Sequence, residues 1–331
     1  MLNPSGPFCV PYYGKRYLLR TNLLAIAILA LCFWPAQSAG FAPVQDKEPV
    51  FSVDVRLVNV AFSVRGTSGK LVSGLTRNDF EIYEDGVRQE LRNFSRDQDT
   101  PLRLGLIIDR SGSQQGLEGQ NFDIAVAFLR GILRPQDQAL IVGFGARLKL
   151  LHDFTNKTHD LELSILEAAK IYDHAERIGP SVVRVGGTAV NDVVYWTTKE
   201  KFENLGGRKA LIMIGDGEEN ASKFRVAEAT DELQRADVLF YGLNNGGSSH
   251  FRKRHPNVLP YLCDDSGGRE FRVGSGPLKD AFDQIEAELR GLYSIGYVSS
   301  NPGQPGQFRK VEIRTKFQGL TVKNRPGYFV R

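Results

Sequence analysis

The sequence predicts an α/β fold built on a doubly wound, mostly parallel sheet, with a small all-β unit formed by the strands that flank it. Three observations carry this. Between residues 102 and 290, short apolar runs alternate with segments of helical spacing. The apolar runs are continuous, as in parallel strands covered on both faces. Before and after that stretch, apolar and polar residues alternate singly, with Gly and Pro between the runs, as in antiparallel strands. Strand and helix in alternation give a parallel sheet with helices on both faces.

Each element follows from its own residues. A basic stretch ending at Arg20, the apolar run "LLAIAILALCFW" (23–34) and the small-residue segment "PAQSAG" have the three-part layout of a secretory signal, assigned here to 1–39. The apolar run is short for a membrane span, although retention as an N-terminal anchor is the competing reading. Residues 40–50 carry two prolines and no periodicity, which marks a linker. "FSVDVRLVNVAFSV" alternates, with a phase shift between Leu57 and Val58 that suggests a bulge. "DFEIYEDGVRQELRNF" is a hairpin turning at Asp85-Gly86. Together these make an N-terminal β segment, 51–98, too small to be stable alone.

The α/β region, 100–290, has strands at "LRLGLII" (102–108), "QALIVGF" (138–144), "RKALIMIG" (208–215), "DVLFYGL" (237–243) and "GREFRV" (268–273). Helical spacing covers 122–133, 158–172, 188–202, 222–236 and 277–290, the third with Thr188 at its start. The C-terminal segment, 291–331, reads as three strands: "GLYSIGYVSS", "FRKVEIRTKF" and "LTVKNRPGYFV". It is the natural packing partner of the N-terminal β segment.

Charge and cysteine content narrow the function classes. The net charge is +4, but Lys15, Arg16 and Arg20 fall in the signal; without them 39 basic residues face 38 acidic ones. That near-neutrality argues against nucleic-acid binding. Cys9 and Cys32 also lie in the signal, so Cys263 is alone and no intrachain disulfide is expected after cleavage.

The chemistry gathers at strand ends. Asp109, Ser111 and Ser113 follow the first parallel strand, Thr188 follows a glycine pair at a helix start, and Asp216 directly follows the strand 208–215, apolar from Ala210 on. In open α/β sheets, ligands bind at the carboxyl ends of the strands, where all three segments fall. Singly, each residue is an ordinary cap or turn former. Together they make an all-oxygen set of three hydroxyls and two carboxylates, which suits a hard cation: Mg²⁺, with Mn²⁺ or Ca²⁺ as alternatives. The protein leaves part of the shell to water and to an outside oxygen. Two carboxylates leave room for a third, so an Asp or Glu of a partner protein is the expected occupant. Gly112, Gly187 and Gly217 permit sharp turns and close backbone approach.

"DRSGS", "GGT" and "IGDG", in this order and context, resemble the metal-ion-dependent adhesion site of von Willebrand factor type A domains, over residues 100–290. The flanking segments resemble those of the von Willebrand-related domain proteins abundant in Acidobacteria. The resemblance implies that Ser111, Ser113 and Thr188 hold the metal directly and that Asp109 and Asp216 act directly or through water. It implies an exported, non-enzymatic protein, periplasmic, secreted or on the cell surface, that binds or adheres to another protein through Mg²⁺. The alternative is a structural cell-envelope or assembly module with a stabilising or vestigial site. Two positions depart from the family pattern. Arg110 follows the first Asp, where a small or hydroxyl residue is common; alternation points it away from the metal, but it adds positive charge. Gly215 stands where a Ser or Thr often supplies a further hydroxyl.

Other features carry less. "HFRKRH" (250–255) reads as a solvated basic loop before it reads as an anion patch, and its two histidines have no third ligand. Glu218 and Glu219 read as helix-start residues favoured by the helix dipole, with a role at the site's rim as the alternative. Ser111 and Ser113 adjoin a carboxylate but no histidine, so a hydrolytic triad is not expected.

Overall fold

In this computed structural model the described residues are 57–96, 100–114, 116–145, 147–170, 177–178, 181–182, 187–246, 255–272, 278–301 and 303–330. The signal segment, the linker, the first six residues of the expected 51–64 strand and residues 250–254 of the basic cluster lie outside them. Strands β1 (Leu57–Arg65), β2 (Phe80–Glu84), β3 (Val87–Gln89) and β4 (Leu91–Ser95) come first. The α/β region follows: β5 (Leu102–Asp109), α1 (Glu118–Ile132), β6 (Gln138–Phe144), β7 (Leu148–Thr155), α2 (Thr158–Lys170), a two-strand hairpin of β8 (Arg177–Ile178) and β9 (Ser181–Val182), α3 (Val190–Phe202), β10 (Arg208–Gly215), α4 (Val226–Ala236), β11 (Val238–Asn244), α5 (Leu259–Ser266), β12 (Glu270–Arg272) and α6 (Leu278–Gly291). Then come β13 (Tyr293–Val298), β14 (Phe308–Thr315), β15 (Thr321–Asn324) and β16 (Gly327–Phe329).

The central sheet has the order β12-β11-β10-β5-β6-β7. All neighbours are parallel except β7, which runs antiparallel to β6 at the edge. This is the doubly wound class the sequence predicts. The continuous apolar strands are explained by two cores. Leu104, Leu106 and Ile108 of β5 pack with Phe122 and Leu129 of α1 and Phe282 and Ile285 of α6. Ile107, on the opposite face, packs with Val190 and Val194 of α3, Leu233 of α4 and Leu259 of α5. Each such side chain, fully buried, contributes roughly 1.5–3 kcal/mol. The consequence for function is one of register: β5 and β10 lie side by side with Ile108 opposite Ile214, so Asp109 and the Gly215-Asp216 pair leave the sheet as neighbours.

The flanking strands form two four-stranded sheets, β15-β1-β13-β4 and β16-β14-β2-β3. Val60, Phe62, Phe80, Ile82, Ile295 and Ile313 fill the space between them. Asp85 and Gly86 both take positive φ (47° and 84°), the requirement of a two-residue hairpin turn. Along its described length β1 pairs with β13 with no register shift, and Val58, Val60, Phe62 and Val64 share its inward face. The single strand expected over "LTVKNRPGYFV" is two. Pro326 cannot donate to a ladder, so the chain crosses there from one sheet to the other, β15 pairing with β1 and β16 with β14. Arg325 spans the crossing, donating to the carbonyls of Gln234 (3.2 Å) and Asn59 (3.0 Å).

β7 and α5 have no counterpart in the sequence reading. β7 is an edge strand with exposed Leu148 and Leu150, so its pattern does not show a buried run. α5 spans eight residues, too few for a clear helical period. Among the described residues no helix is long and apolar enough to cross a membrane.

Candidate metal centre

Asp109 ends β5 and is 2% exposed. Its Oδ1 accepts the Ser111 N–H at 2.8 Å, which folds the chain back over the strand end. Ser111 and Ser113 then stand side by side, their hydroxyl oxygens 3.0 Å apart. Ser113 belongs to a single 3-10 turn, Gly112–Gln114. That turn is tied to the neighbouring strand ends: Gln114 Oε1 accepts from Asn121 Nδ2 (3.3 Å) and from Asn245 Nδ2, while the Asn245 N–H donates to the Gly215 carbonyl (3.3 Å).

Asp216, also 2% exposed, follows β10 directly. Its Oδ1 accepts the N–H of Glu218 (3.1 Å) across Gly217, whose φ of 70° makes the turn. Thr188 is buried beside the start of α3. The next residue, Ala189, donates its N–H to the carbonyl of Gly145, immediately after β6, so the threonine segment sits at the same carboxyl edge. Asp109, Ser111 and Ser113 are therefore joined by hydrogen bonds, Asp109 and Asp216 by electrostatic contact, and Thr188 by its place at that edge.

The electrostatics of Asp109 are unusual. Burial is the largest influence on its carboxyl, followed by the negative charge of Asp216; the N–H and hydroxyl of Ser111 pull the other way and Glu218 adds to the rise. The outcome is a pKa pushed up to about 7. Its Oδ2 is buried and has no hydrogen-bond partner. Two adjoining carboxylates, one with an unsatisfied oxygen, are a donor set that fits a divalent cation. Among the described residues no group of three or more His, Cys, Asp or Glu side chains gathers to hold a metal; the oxygens beside these two carboxylates are hydroxyls.

The two departures take on physical meaning. Arg110 leaves the sheet on the face opposite Asp109: its Cδ lies 3.1 Å from where a Cβ on Gly143 would be, over the β6 backbone. Gly215 is more than a missing hydroxyl. A Cβ there would lie 2.6 Å from Asp109 Cβ and 2.8 Å from Asp109 Oδ2, so the glycine provides the space that the Asp109 carboxylate occupies. Sequence reasoning missed Asn220, whose side-chain oxygen accepts the Thr188 N–H (2.8 Å) and whose own N–H donates to the Thr188 carbonyl (3.1 Å). A sequence shows no sign of such a pairing, since an exposed Asn in a loop has many ordinary uses.

Solved structures similar to this chain include a von Willebrand factor domain. The chain is similar to BatB from Bacteroides thetaiotaomicron, at 17% identity and a TM-score of 0.41, over 57% of this chain and 97% of that one. It is similar to the vWF domain of the type V pili tip protein Mfa5 from Porphyromonas gingivalis, at 13% identity and a TM-score of 0.41, over 56% of this chain and 94% of that one. A third similar structure is proximal thread matrix protein 1 of the mussel byssus with a zinc-occupied MIDAS motif, at 16% identity and a TM-score of 0.46, over 63% of this chain; the match spans 50% of the mussel chain. No family model and no curated protein matches the sequence.

Proposed function

We propose that this chain is an exported, non-enzymatic binding protein that holds Mg²⁺ at the carboxyl edge of its central sheet and, through it, an Asp or Glu side chain of a partner protein. The observation that carries the reading is the buried, unpartnered Oδ2 of Asp109 beside a second buried carboxylate. Ser111, Ser113 and Thr188 would hold the cation directly, with Asp109 and Asp216 acting directly or through water. The cation would supply a positive centre that attracts an anionic oxygen. Export rests on the layout of residues 1–39.

The test uses the purified chain. Isothermal titration with Mg²⁺ should show one site, lost in Asp109→Ala. Proteins of the source organism's cell envelope retained on immobilised chain in Mg²⁺ should be released by EDTA and absent on the Asp109→Ala chain. Identical retention under all three conditions sinks the adhesion mechanism. If Mg²⁺ then still binds and raises the melting temperature, the site is a stabilising one.

A further inference from the structure

Helix α3 lacks a cap of its own. Its N-cap is Ala189, whose side chain accepts nothing, yet the first N–H groups of a helix need acceptors. The loop after β10 provides them. Glu219 Oε2 accepts the N–H of Asn191 (2.9 Å), and Ser222 Oγ accepts the N–H of Asp192 (3.0 Å). Glu219 is held in place in turn, its Oε1 accepting the N–H groups of Ala221 and Ser222, both at 2.9 Å. The exchange is reciprocal. Asp192 Oδ1 accepts the N–H groups of Lys223 (2.8 Å) and Phe224 (2.9 Å), and Asn191 Nδ2 donates to the Phe224 carbonyl (3.2 Å). The rings of Tyr195 and Phe224 stack with centroids 3.9 Å apart. At the head of this seam stands the double bond between Asn220 and the backbone of Thr188.

The geometry points to Glu219, Asn220 and Ser222 as positioning residues of the cation site. They join its Thr188 arm and its Asp216 arm into one rigid piece. Because they cap α3 from outside, the threonine at the helix start is not required as a cap, and its hydroxyl is left for the cation. Glu219 is a helix-start residue, as the sequence suggests, but for the helix before it rather than the one after. The inference rests on the cation-site reading, and Asn220 is the residue to test because it is exposed and packs into neither core. Outer partners that orient metal ligands typically change affinity by 10–100-fold when removed.

Three full-length chains separate the possibilities: wild type, Asn220→Ala and Asn220→Asp, the last keeping a side-chain acceptor. In the metal-free protein, Thr188 amide exchange should be about tenfold faster in Asn220→Ala and restored in Asn220→Asp. Added negative charge alone would not restore that protection. Mg²⁺ affinity by titration calorimetry should fall about tenfold in Asn220→Ala and recover in Asn220→Asp. Wild type that binds Mg²⁺, with equal affinity in Asn220→Ala and an unchanged Thr188 amide, overturns this inference alone. A melting temperature lowered equally in Mg²⁺ and in EDTA, with affinity unchanged, also overturns it, since that marks a merely structural bond. Wild type that does not bind Mg²⁺ at all overturns the cation site together with its positioning.

Discussion

The two ends of β5 each meet a buried aspartate, and the two carboxylates are treated oppositely. At the amino end, Asp137 accepts the N–H of Leu102 (2.7 Å) and the N–H of Arg134 (2.8 Å) and pairs with the buried guanidinium of Arg290 from α6. Burial is the largest single influence on its carboxyl and pushes upward. The Arg290 and backbone hydrogen bonds, with the Arg290 charge, together outweigh it and hold the pKa below the ordinary carboxylate value. At the carboxyl end, Asp109 has an unpartnered oxygen, a carboxylate for a neighbour and a pKa pushed up to about 7. A buried charge persists when it is paired and hydrogen-bonded. The protein completes that pairing at one end of the strand and leaves one carboxylate oxygen without a hydrogen-bond partner at the other; on the function proposed above, a cation would complete it there.

The largest expected effect lies at the closed end. Asp137→Ala leaves Arg290 buried without its counter-charge and two N–H groups without acceptors, at a cost of about 3–5 kcal/mol. Denaturant unfolding with and without Mg²⁺ should give the same loss. A loss below about 1 kcal/mol would show that the pair does not close this end, and the contrast would fail there.

The open end should show itself in the pH dependence of the metal-free protein. The folded pKa of Asp109 is raised from 3.8 to about 7, so the folded state keeps a proton that the unfolded chain releases. The stability linked to that proton is fully present below about pH 4 and is lost as pH rises to about 7, by at most about 4 kcal/mol. Other carboxylates titrate over the same range, so the measured quantity is the difference between wild type and Asp109→Asn in urea unfolding from pH 4 to 8. That difference should shift in favour of the variant as pH rises, and saturating Mg²⁺ should reverse the shift. A flat difference would place Asp109 in the same class as Asp137.

How far the sequence reveals this contrast depends on the kind of signal. The strands 138–144 and 208–215 are legible to the residue because both faces are buried and, past Gln138 and the Arg208-Lys209 pair at their starts, the side chains are apolar. The Asp85-Gly86 turn is legible because positive φ restricts the choice of residue. Asp109, Ser111, Ser113, Thr188 and Asp216 can be picked out because their spacing places them at strand ends. What is not legible depends on partners distant in sequence. The capping of α3 by Glu219 and Ser222, the hold of Asn220 on Thr188 and the pairing of Arg290 with Asp137 are of this kind. Thr188 placed at a helix start invites the reading of a cap; the helix begins at Val190 and is capped from another loop.

Gly215 is where the contrast can be sharpened with a single methyl group. Its φ lies outside the positive region, so alanine is permitted by the backbone, and the cost of Gly215→Ala comes from crowding alone. The new Cβ would meet Asp109 Cβ at 2.6 Å and Oδ2 at 2.8 Å, distances that force the carboxylate or the strand to move. Overpacking of this kind costs about 1–3 kcal/mol, the smallest of the three stability effects. If the present seat of Asp109 is the one the cation uses, Gly215→Ala also weakens Mg²⁺ binding, and calorimetry reads both changes on the same samples. Tighter Mg²⁺ binding with the same loss of stability would mean that Asp109 binds better once pushed off the glycine, so that its seat against Gly215 is a resting position.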